Sequence, residues 1–263
     1  GHELSSHYLE IRGVGLTDIP GIVGVRAVRQ QKRIEVVVKL EEWNHEAIAD
    51  RTGLDMATTT ILDVELPQIT IFLNPGKNIT VIEAAGEILV VDCGLAFPEP
   101  EMLGIDLVIP DVTYLRGNRD KVRAILLTHG HEDHTGGLPY VLPQIPGTPI
   151  YTSRLTAGLV TGKLKEHKLL GQTRLEVVEP AVEFRIGAFA ITPFRVNHSI
   201  PDGMGFAIRT PLGTVVHTGD FKFDHTPPDG RRADLGLIAE IGNHGVEFLL
   251  SDSTRAEREG YTL

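Results

Sequence analysis

Short apolar runs that alternate with polar positions, or are closed off by turn residues, recur along the whole chain and predict strands more often than helices. Before residue 78, the segments Arg33 to Leu40, Thr60 to Leu66 and Ile69 to Leu73 alternate in the manner of half-buried strands. Gly13, Gly15, Gly21, Gly24 and Gly53 punctuate them, which leaves little room for long helices and predicts a small β-rich segment over residues 1–78. Beyond it, Ile79 to Glu83 and Ile88 to Asp92 flank Ala-Gly-Glu and predict a hairpin. Val122 to Leu127 is almost continuously apolar, as a strand buried on both faces requires. Further strands are predicted at Ala188 to Thr192, Gly205 to Arg209, Thr214 to His217 and Glu247 to Ser251. Helical spacing appears from Ser153 to His167, with Ser153 as N-cap and Leu155, Leu159 and Leu164 on one face. Strands interspersed with helices make residues 79–263 an α+β unit. No internal repeat or low-complexity segment interrupts the pattern.

Composition narrows the class. A chain of 263 residues, 41% hydrophobic and 23% charged, is ordinary for a globular protein of one or two domains. No apolar run reaches the roughly 20 residues a membrane helix needs, so no membrane partner is expected. One cysteine excludes an internal disulfide framework and suits a reducing compartment. No basic-then-apolar leader opens the chain, and a cytoplasmic location is the expectation. The net charge of −10 argues against capture of a polyanion by the overall field, although bound metal would add positive charge that a residue count omits. Histidine is distributed unevenly: three of the eleven lie before residue 78 and eight after it.

That excess has a focus. Thr128-His-Gly-His-Glu-Asp-His-Thr-Gly-Gly137 follows the buried strand and precedes a helix predicted to start near Gly136. His129, His131, Asp133 and His134 place four ligand-type side chains within six residues, and imidazole with carboxylate suits zinc or manganese better than calcium. Gly130 and the Gly136-Gly137 pair are expected to let backbone come close to the metals. Two islands share this character: His198 follows one strand, and Asp220 follows another with Gly219 permitting a tight turn. Six ligands at three strand ends suffice for two metals with Asp220 bridging. Such a pair, roughly 3.5–4 Å apart, activates water and stabilises in-line displacement at phosphorus. Unrelated surface or core positions would explain one histidine, but not four ligands in six residues beside two matching islands. His217 and His225 are expected to be supporting or surface residues. His2, His7, His45, His167 and His244 are expected to be ordinary ones.

The His129 to His134 cluster, with Asp92 in Val-Val-Asp-Cys-Gly, His198 and Asp220, resembles the metallo-β-lactamase superfamily. The resemblance sharpens over Asp92-Cys-Gly-Leu-Ala-Phe-Pro-Glu, Gly104-Ile-Asp-Leu-Val-Ile-Pro-Asp-Val-Thr-Tyr-Leu, Asn197-His-Ser-Ile-Pro-Asp, His217-Thr-Gly-Asp-Phe-Lys-Phe-Asp and Leu250-Ser-Asp-Ser-Thr. These segments are similar to the ribonuclease J family of the beta-CASP group, from about Lys77 to Leu263. The resemblance implies an αβ/βα sandwich and a two-zinc hydrolase, with manganese as an alternative ion. It implies action on single-stranded, 5′-monophosphorylated RNA, from the 5′ end and internally, in RNA processing and decay. A homo-oligomer is also expected. By resemblance, His129, His131 and His198 hold one zinc, and Asp133, His134 and Asp220 hold the second. Asp133, His198 and Asp220 are thereby the catalytic set, and Asp92 orients a ligand histidine. Ser251 and Ser253 fall at signature positions that a strand-end turn explains equally well, and Cys93 reads as core. The chain stops at Gly260-Tyr-Thr-Leu263, where the beta-CASP part of that family begins, so reduced activity is expected.

Residues 1–78 have a different likeness. Leu9-Glu-Ile-Arg-Gly-Val-Gly15, Lys32 to Trp43, Asp50-Arg-Thr-Gly-Leu54 and Asn74-Pro-Gly-Lys-Asn78 resemble the C-terminal part of HPr kinase/phosphorylase, which phosphorylates a serine of a small phosphocarrier. By resemblance Glu10 sits at a metal-nucleotide site and Arg51 in a loop linked to dephosphorylation. No Gly-x-x-x-x-Gly-Lys-Ser/Thr loop occurs in the chain, so kinase chemistry is not expected. Trp43 is expected to be a packing residue. The two likenesses meet at residues 74–78 without a linker, which suggests an assembled join. Two alternatives to the ribonuclease stand: a two-metal hydrolase of a small ester or lactone, and a non-catalytic chimeric fragment.

Overall fold

Turn chemistry and strand periodicity decide the fold near the centre of the chain. Ala85 and Gly86 both have positive φ, 54° and 73°, which matches the backbone twist that a two-residue hairpin needs. The predicted hairpin forms there. A computed structural model of the chain describes residues 8–11, 15–18, 37–42, 58–61, 64–73, 79–98 and 102–254. It divides the chain into two units, Gly1–Glu35 and Val36–Leu263.

In the first unit, β1 (Tyr8–Ile11) and β2 (Gly15–Asp18) pair antiparallel, with Ile11 opposite Gly15. The second unit holds two sheets. The larger contains β3 (Val37–Glu42), β4 (Thr58–Ile61), β5 (Val64–Leu73), β6 (Thr80–Ala84), β7 (Glu87–Val91), β8 (Val122–Leu126), β9 (Ile150–Thr152) and β10 (Leu175–Val177), in the order β10-β9-β8-β7-β6-β5-β3 with β4 beside β5. The run Thr60 to Leu66, expected as one strand, is divided between β4 and β5, which pair antiparallel with Ile61 opposite Val64. The smaller sheet takes β11 (Phe184–Ile186), β12 (Phe189–Arg195), β13 (Met204–Thr210), β14 (Gly213–His217) and β15 (Phe248–Leu250) in chain order.

Side-chain alternation along these strands builds the layers. On β7, Ile88 and Val90 turn to one face of the large sheet, where α1 (Thr113–Gly117), α3 (Leu138–Val141) and α4 (Arg154–Glu166) contribute Leu115, Leu138, Val141, Val160 and Leu164. Leu89 and Val91 turn to the other face and meet Phe189, Phe206, Ile208 and Val215 of the small sheet. Ala207 and Val216 face outward from that sheet, against Leu237, Ile238 and Ile241 of α5 (Leu235–His244). The result is helix, sheet, sheet, helix. Fully buried side chains such as Leu89 and Ile208 each contribute about 1.5–3 kcal/mol, so the sheet–sheet and sheet–helix interfaces are both large apolar stores.

One local expectation is corrected. Leu155 and Leu159 are 40% and 46% exposed, and the buried face of α4 is Thr156, Ala157, Val160 and Leu164. Ser153 does occupy the N-cap, but its hydroxyl meets the Thr156 hydroxyl. Asp202 instead accepts from the Leu155 amide at 3.1 Å, and so satisfies a first-turn donor from outside the helix. The helix expected near Gly136 is α3, with Gly137 at its N-cap, and an additional four-residue helix, α2 (Glu132–Thr135), precedes it. Among the described residues no helix is long and apolar enough to cross a membrane.

Candidate metal centre

Parallel strands β7 and β8 end side by side, and their ends start the site. Asp92 follows β7 with φ +62° and is 2% exposed. The Thr128 amide donates to its Oδ1 at 2.8 Å, and His134 Nδ1 lies 2.7 Å from its Oδ2. The Thr128 hydroxyl lies 2.9 Å from Oδ2 and 3.0 Å from Oδ1, and also 3.0 Å from His129 Nδ1. A hydroxyl has one proton, and the carboxylate has none to give. Thr128 therefore donates to Asp92 and accepts from His129 Nδ1–H. One buried carboxylate thus orients two histidines, His134 directly and His129 through Thr128, and turns both Nε2 atoms inward.

The loop after β7 also backs the histidine loop through its main chain. Cys93 donates to the His134 carbonyl at 2.8 Å, and Gly137 donates to the Cys93 carbonyl at 2.9 Å. A side chain at Gly94 would put its Cβ 1.5 Å from the Asp133 carbonyl oxygen, so only glycine admits this approach. Gly136 and Gly137 serve the same contact: a Cβ at Gly136 would meet Leu95, and one at Gly137 the Gly94 carbonyl oxygen. Gly130 lies under Leu159. The expectation that these glycines admit backbone to the metals is thus replaced by strand-end packing. Cys93 itself is core, and burial pushes its thiol up.

His131 stands at the N-cap of α2, and Asp133 and His134 lie in its single turn. His198 comes from the loop between β12 and β13. That loop is tied at both ends: Asn197 donates to the Arg231 carbonyl and accepts from the Ala233 and Lys222 amides, while Asp202 joins the start of α4 and pairs with Arg195 at 3.7 Å. Asp220 follows β14 across a turn containing Gly219, φ +60°.

These elements bring five of the six expected ligands into two overlapping groups. Ligand atoms of His129, His131 and His198 all lie within 4.8 Å of one another, as do those of His129, His134 and Asp220. His129 Nε2 is 3.0 Å from His131 Nδ1, and Asp220 Oδ2 is 3.4 Å from His134 Nε2 and 3.7 Å from His198 Nε2. One Asp220 oxygen therefore faces a histidine of each group, the placement a bridge requires. Asp133 lies beside these groups, its Oδ2 3.7 Å from His134 Nε2. Ligands at roughly 2.0–2.1 Å from a tetrahedral zinc stand about 3.3 Å apart, so the donor set and its spacing fit such an ion.

Electrostatics match the donor set. Burial opposes charge on Asp92, yet neighbouring His134 holds its carboxyl below the usual range. Burial likewise opposes charge on His134, but Asp92 and Asp220 push it up to about 10. Burial and the His134 charge drive His129 down to about 3. For Asp220 burial works against ionisation, and the His134 hydrogen bond and charge outweigh it, leaving it at about 2. The protonated His134 thus supplies positive charge where a cation would stand.

Other expected residues lie elsewhere. Glu10 is in β1, and Arg51 and Trp43 fall outside the described residues. His167, His225 and His244 are exposed, as are Ser251 and Ser253. His217 ends β14 beside the centre. Sequence reading assigned no role to Thr128, Gly94, Asn197 or Asp202. Thr128 carries the one available signal, a hydroxyl residue at a buried strand end immediately before the histidines.

The chain is similar to proteins of two kinds. Residues 75–253 match the family model of the metallo-beta-lactamase superfamily, and residues 1–92 match that of the HPr Serine kinase C-terminal domain. Ribonuclease J of Thermus thermophilus is 53% identical over 193 residues, 71% of this chain and 34% of its own length. Ribonuclease J2 of Bacillus subtilis is 48% identical over 187 residues, 71% of this chain and 34% of its own length. The chain thus spans about a third of the curated relatives it matches. A crystal structure of a protein of unknown function from Enterococcus faecalis covers 72% of this chain and 49% of its own, at 16% identity and a TM-score of 0.50. With a four-layer sandwich, its histidines at strand ends and a family match over residues 75–253, the chain belongs to the metallo-β-lactamase superfamily.

Proposed function

We propose that residues 79–263 carry the two-zinc centre of a ribonuclease of the ribonuclease J kind, with manganese as an alternative ion. The substrate would be single-stranded, 5′-monophosphorylated RNA in the cytoplasm, cut from its 5′ end and internally. His129, His131 and His198 would hold one ion, and Asp133, His134 and Asp220 the other, with Asp220 between them. The observation that carries the reading is the pair of ligand groups that share His129, with Asp220 Oδ2 of one group 3.7 Å from His198 of the other, backed by Asp92 and Thr128. Similarity to Ribonuclease J supports the substrate class.

Two such ions, when bound, polarise a phosphoryl oxygen and lower the pKa of water. The chain's own residues do the rest. Asp92 and Thr128 hold the His134 and His129 rings so that their Nε2 atoms stay directed inward. Asn197 and Asp202 hold the His198 loop. A cavity of about 780 Å³, lined in part by Arg154, Pro201, Asp202 and Arg231, adjoins that loop and offers room for the nucleotide beside the cut. Its lining sets two guanidinium groups, Arg154 and Arg231, against three carboxylates, Glu179, Asp202 and Asp229, and Arg154 pairs with Glu179 at 3.7 Å. The cavity therefore does not offset the net charge of −10 that repels a phosphate backbone.

For residues 1–78 we infer an HPr kinase-like segment without kinase activity, because the phosphate-cradling loop is missing. The test of the hydrolase uses the zinc-loaded chain with an activated phosphodiester, an activated lactone and 5′-monophosphorylated RNA. Turnover of the phosphodiester above the lactone is expected, with slow cutting of RNA that rises when the chain is extended to its relatives' length. Lactone turnover alone would overturn the reading.

A further inference from the structure

His217 is a polar side chain at a strand end that the ligand assignment leaves unused. The Gly219 amide donates to its Nδ1 at 3.1 Å. A ring nitrogen that accepts is unprotonated, so the single proton of the neutral ring is on Nε2. That nitrogen faces the Thr80 hydroxyl at 3.4 Å. Both nitrogens are engaged, which removes His217 from the ligand set and gives it another task.

That task is visible in what the ring holds. Gly219 has φ +60°, and a Cβ there would lie 2.9 Å from Thr128 Cβ and 3.2 Å from the Met204 carbonyl oxygen. The turn is therefore pressed against the residue that orients His129. On its other side the Thr218 hydroxyl accepts from the Asp252 amide at 3.0 Å. Thr80 opens β6, in the large sheet that also carries Asp92, whereas His217 closes β14 in the small sheet. The ring references the Asp220 turn to both sheets at once. Asp220 Oδ2 emerges from that turn between His134 and His198.

We propose that His217 is a positioning residue: as the neutral Nε2–H tautomer it holds the Gly219 amide, and through it the Asp220 carboxylate, between the two ligand groups without touching an ion. The inference rests on the reading of Asp220 as a metal ligand.

Two measurements test it. Nitrogen-proton correlation spectra of the histidine-labelled, metal-free chain should show His217 neutral, with an unprotonated Nδ1 and a protonated Nε2. The opposite tautomer, or an imidazolium at neutral pH, would overturn the proposal whatever the metal content. Zinc titration then compares the native chain with His217→Phe, which keeps ring volume, and His217→Asn, which keeps an acceptor near the Nδ1 position. Loss of support around a ligand costs about ten- to a hundredfold in metal affinity, so His217→Phe should weaken the Asp220-dependent ion by that factor. The ion on His129, His131 and His198, which keeps its three imidazoles and loses only the shared Asp220 oxygen, should weaken less, and His217→Asn should return the weakened affinity to within about threefold of native. Native affinity in His217→Phe would overturn the proposal. A native chain that takes up no zinc defeats the metal assignment instead, and the tautomer spectrum still decides the hydrogen bond.

Discussion

The two sides of the centre are built differently. On the β7–β8 side, Asp92, Thr128, His129 and His134 are each 3% exposed or less, and every one is bonded to another of the four. On the β12–β14 side, the His198 side chain is 22% exposed and that of Asp220 30%, and main-chain ties hold their loops. The difference teaches that one side is part of the core and the other is an attachment to it. Disturbing the first should cost folding free energy. Disturbing the second should cost metal affinity alone.

Asp92→Ala should break the comparison most visibly. It leaves His134 buried without its carboxylate, and removing one partner of such a pair costs about 3–5 kcal/mol. Urea unfolding should show the lower midpoint at an unchanged slope. A loss under about 1 kcal/mol would mean that the pair is not structural.

Thr128→Val comes next. It keeps the volume but leaves His129 Nδ1 without an acceptor, at a cost of about 1–3 kcal/mol in the same measurement. Thr128→Ser, which keeps the hydroxyl, should recover most of it.

The pH dependence follows from His134. Its folded value of about 10 is raised above the ordinary 6.5, so protonation stabilises the metal-free chain. That contribution is fully present below pH 6.5 and is lost as pH rises through about 10. Zinc must displace this proton. Calorimetry in buffers of different ionisation enthalpy should therefore show close to one proton released from this residue at pH 8 when the ion assigned to Asp133, His134 and Asp220 binds. Apparent affinity should rise about tenfold per pH unit from 7 to 9, in step with the free-energy equivalent of a unit shift. Affinity independent of pH across that range would contradict the assignment.

The smallest expected effect is on the exposed side. His198→Ala should change metal-free stability by no more than about 1 kcal/mol while losing one zinc, because its loop is tied through Asn197 and Asp202 rather than through the ring. A larger loss would erase the contrast between the two sides.

The parts legible in the sequence are those encoded locally. Four ligands within six residues, two islands at strand ends and the Ala85-Gly86 hairpin can be read without knowing what packs where. The α4 face could not, because it is set by packing against distant residues: Val160 and Leu164 enter the core beneath the large sheet while leucines at 155 and 159 point outward. Thr128 escaped for a related reason: its role depends on the positive φ that aims Asp92 across to a neighbouring strand end. Glycine was legible as a close approach but not as to what approaches, since Gly136 and Gly137 admit the Gly94 loop.

Zinc content after equilibrium dialysis tests the central claim most directly. Elemental analysis should find two zinc ions per native chain and one in the double variant Asp133→Ala, His134→Ala. No zinc above trace in the native chain, or an unchanged content in the double variant, would contradict it.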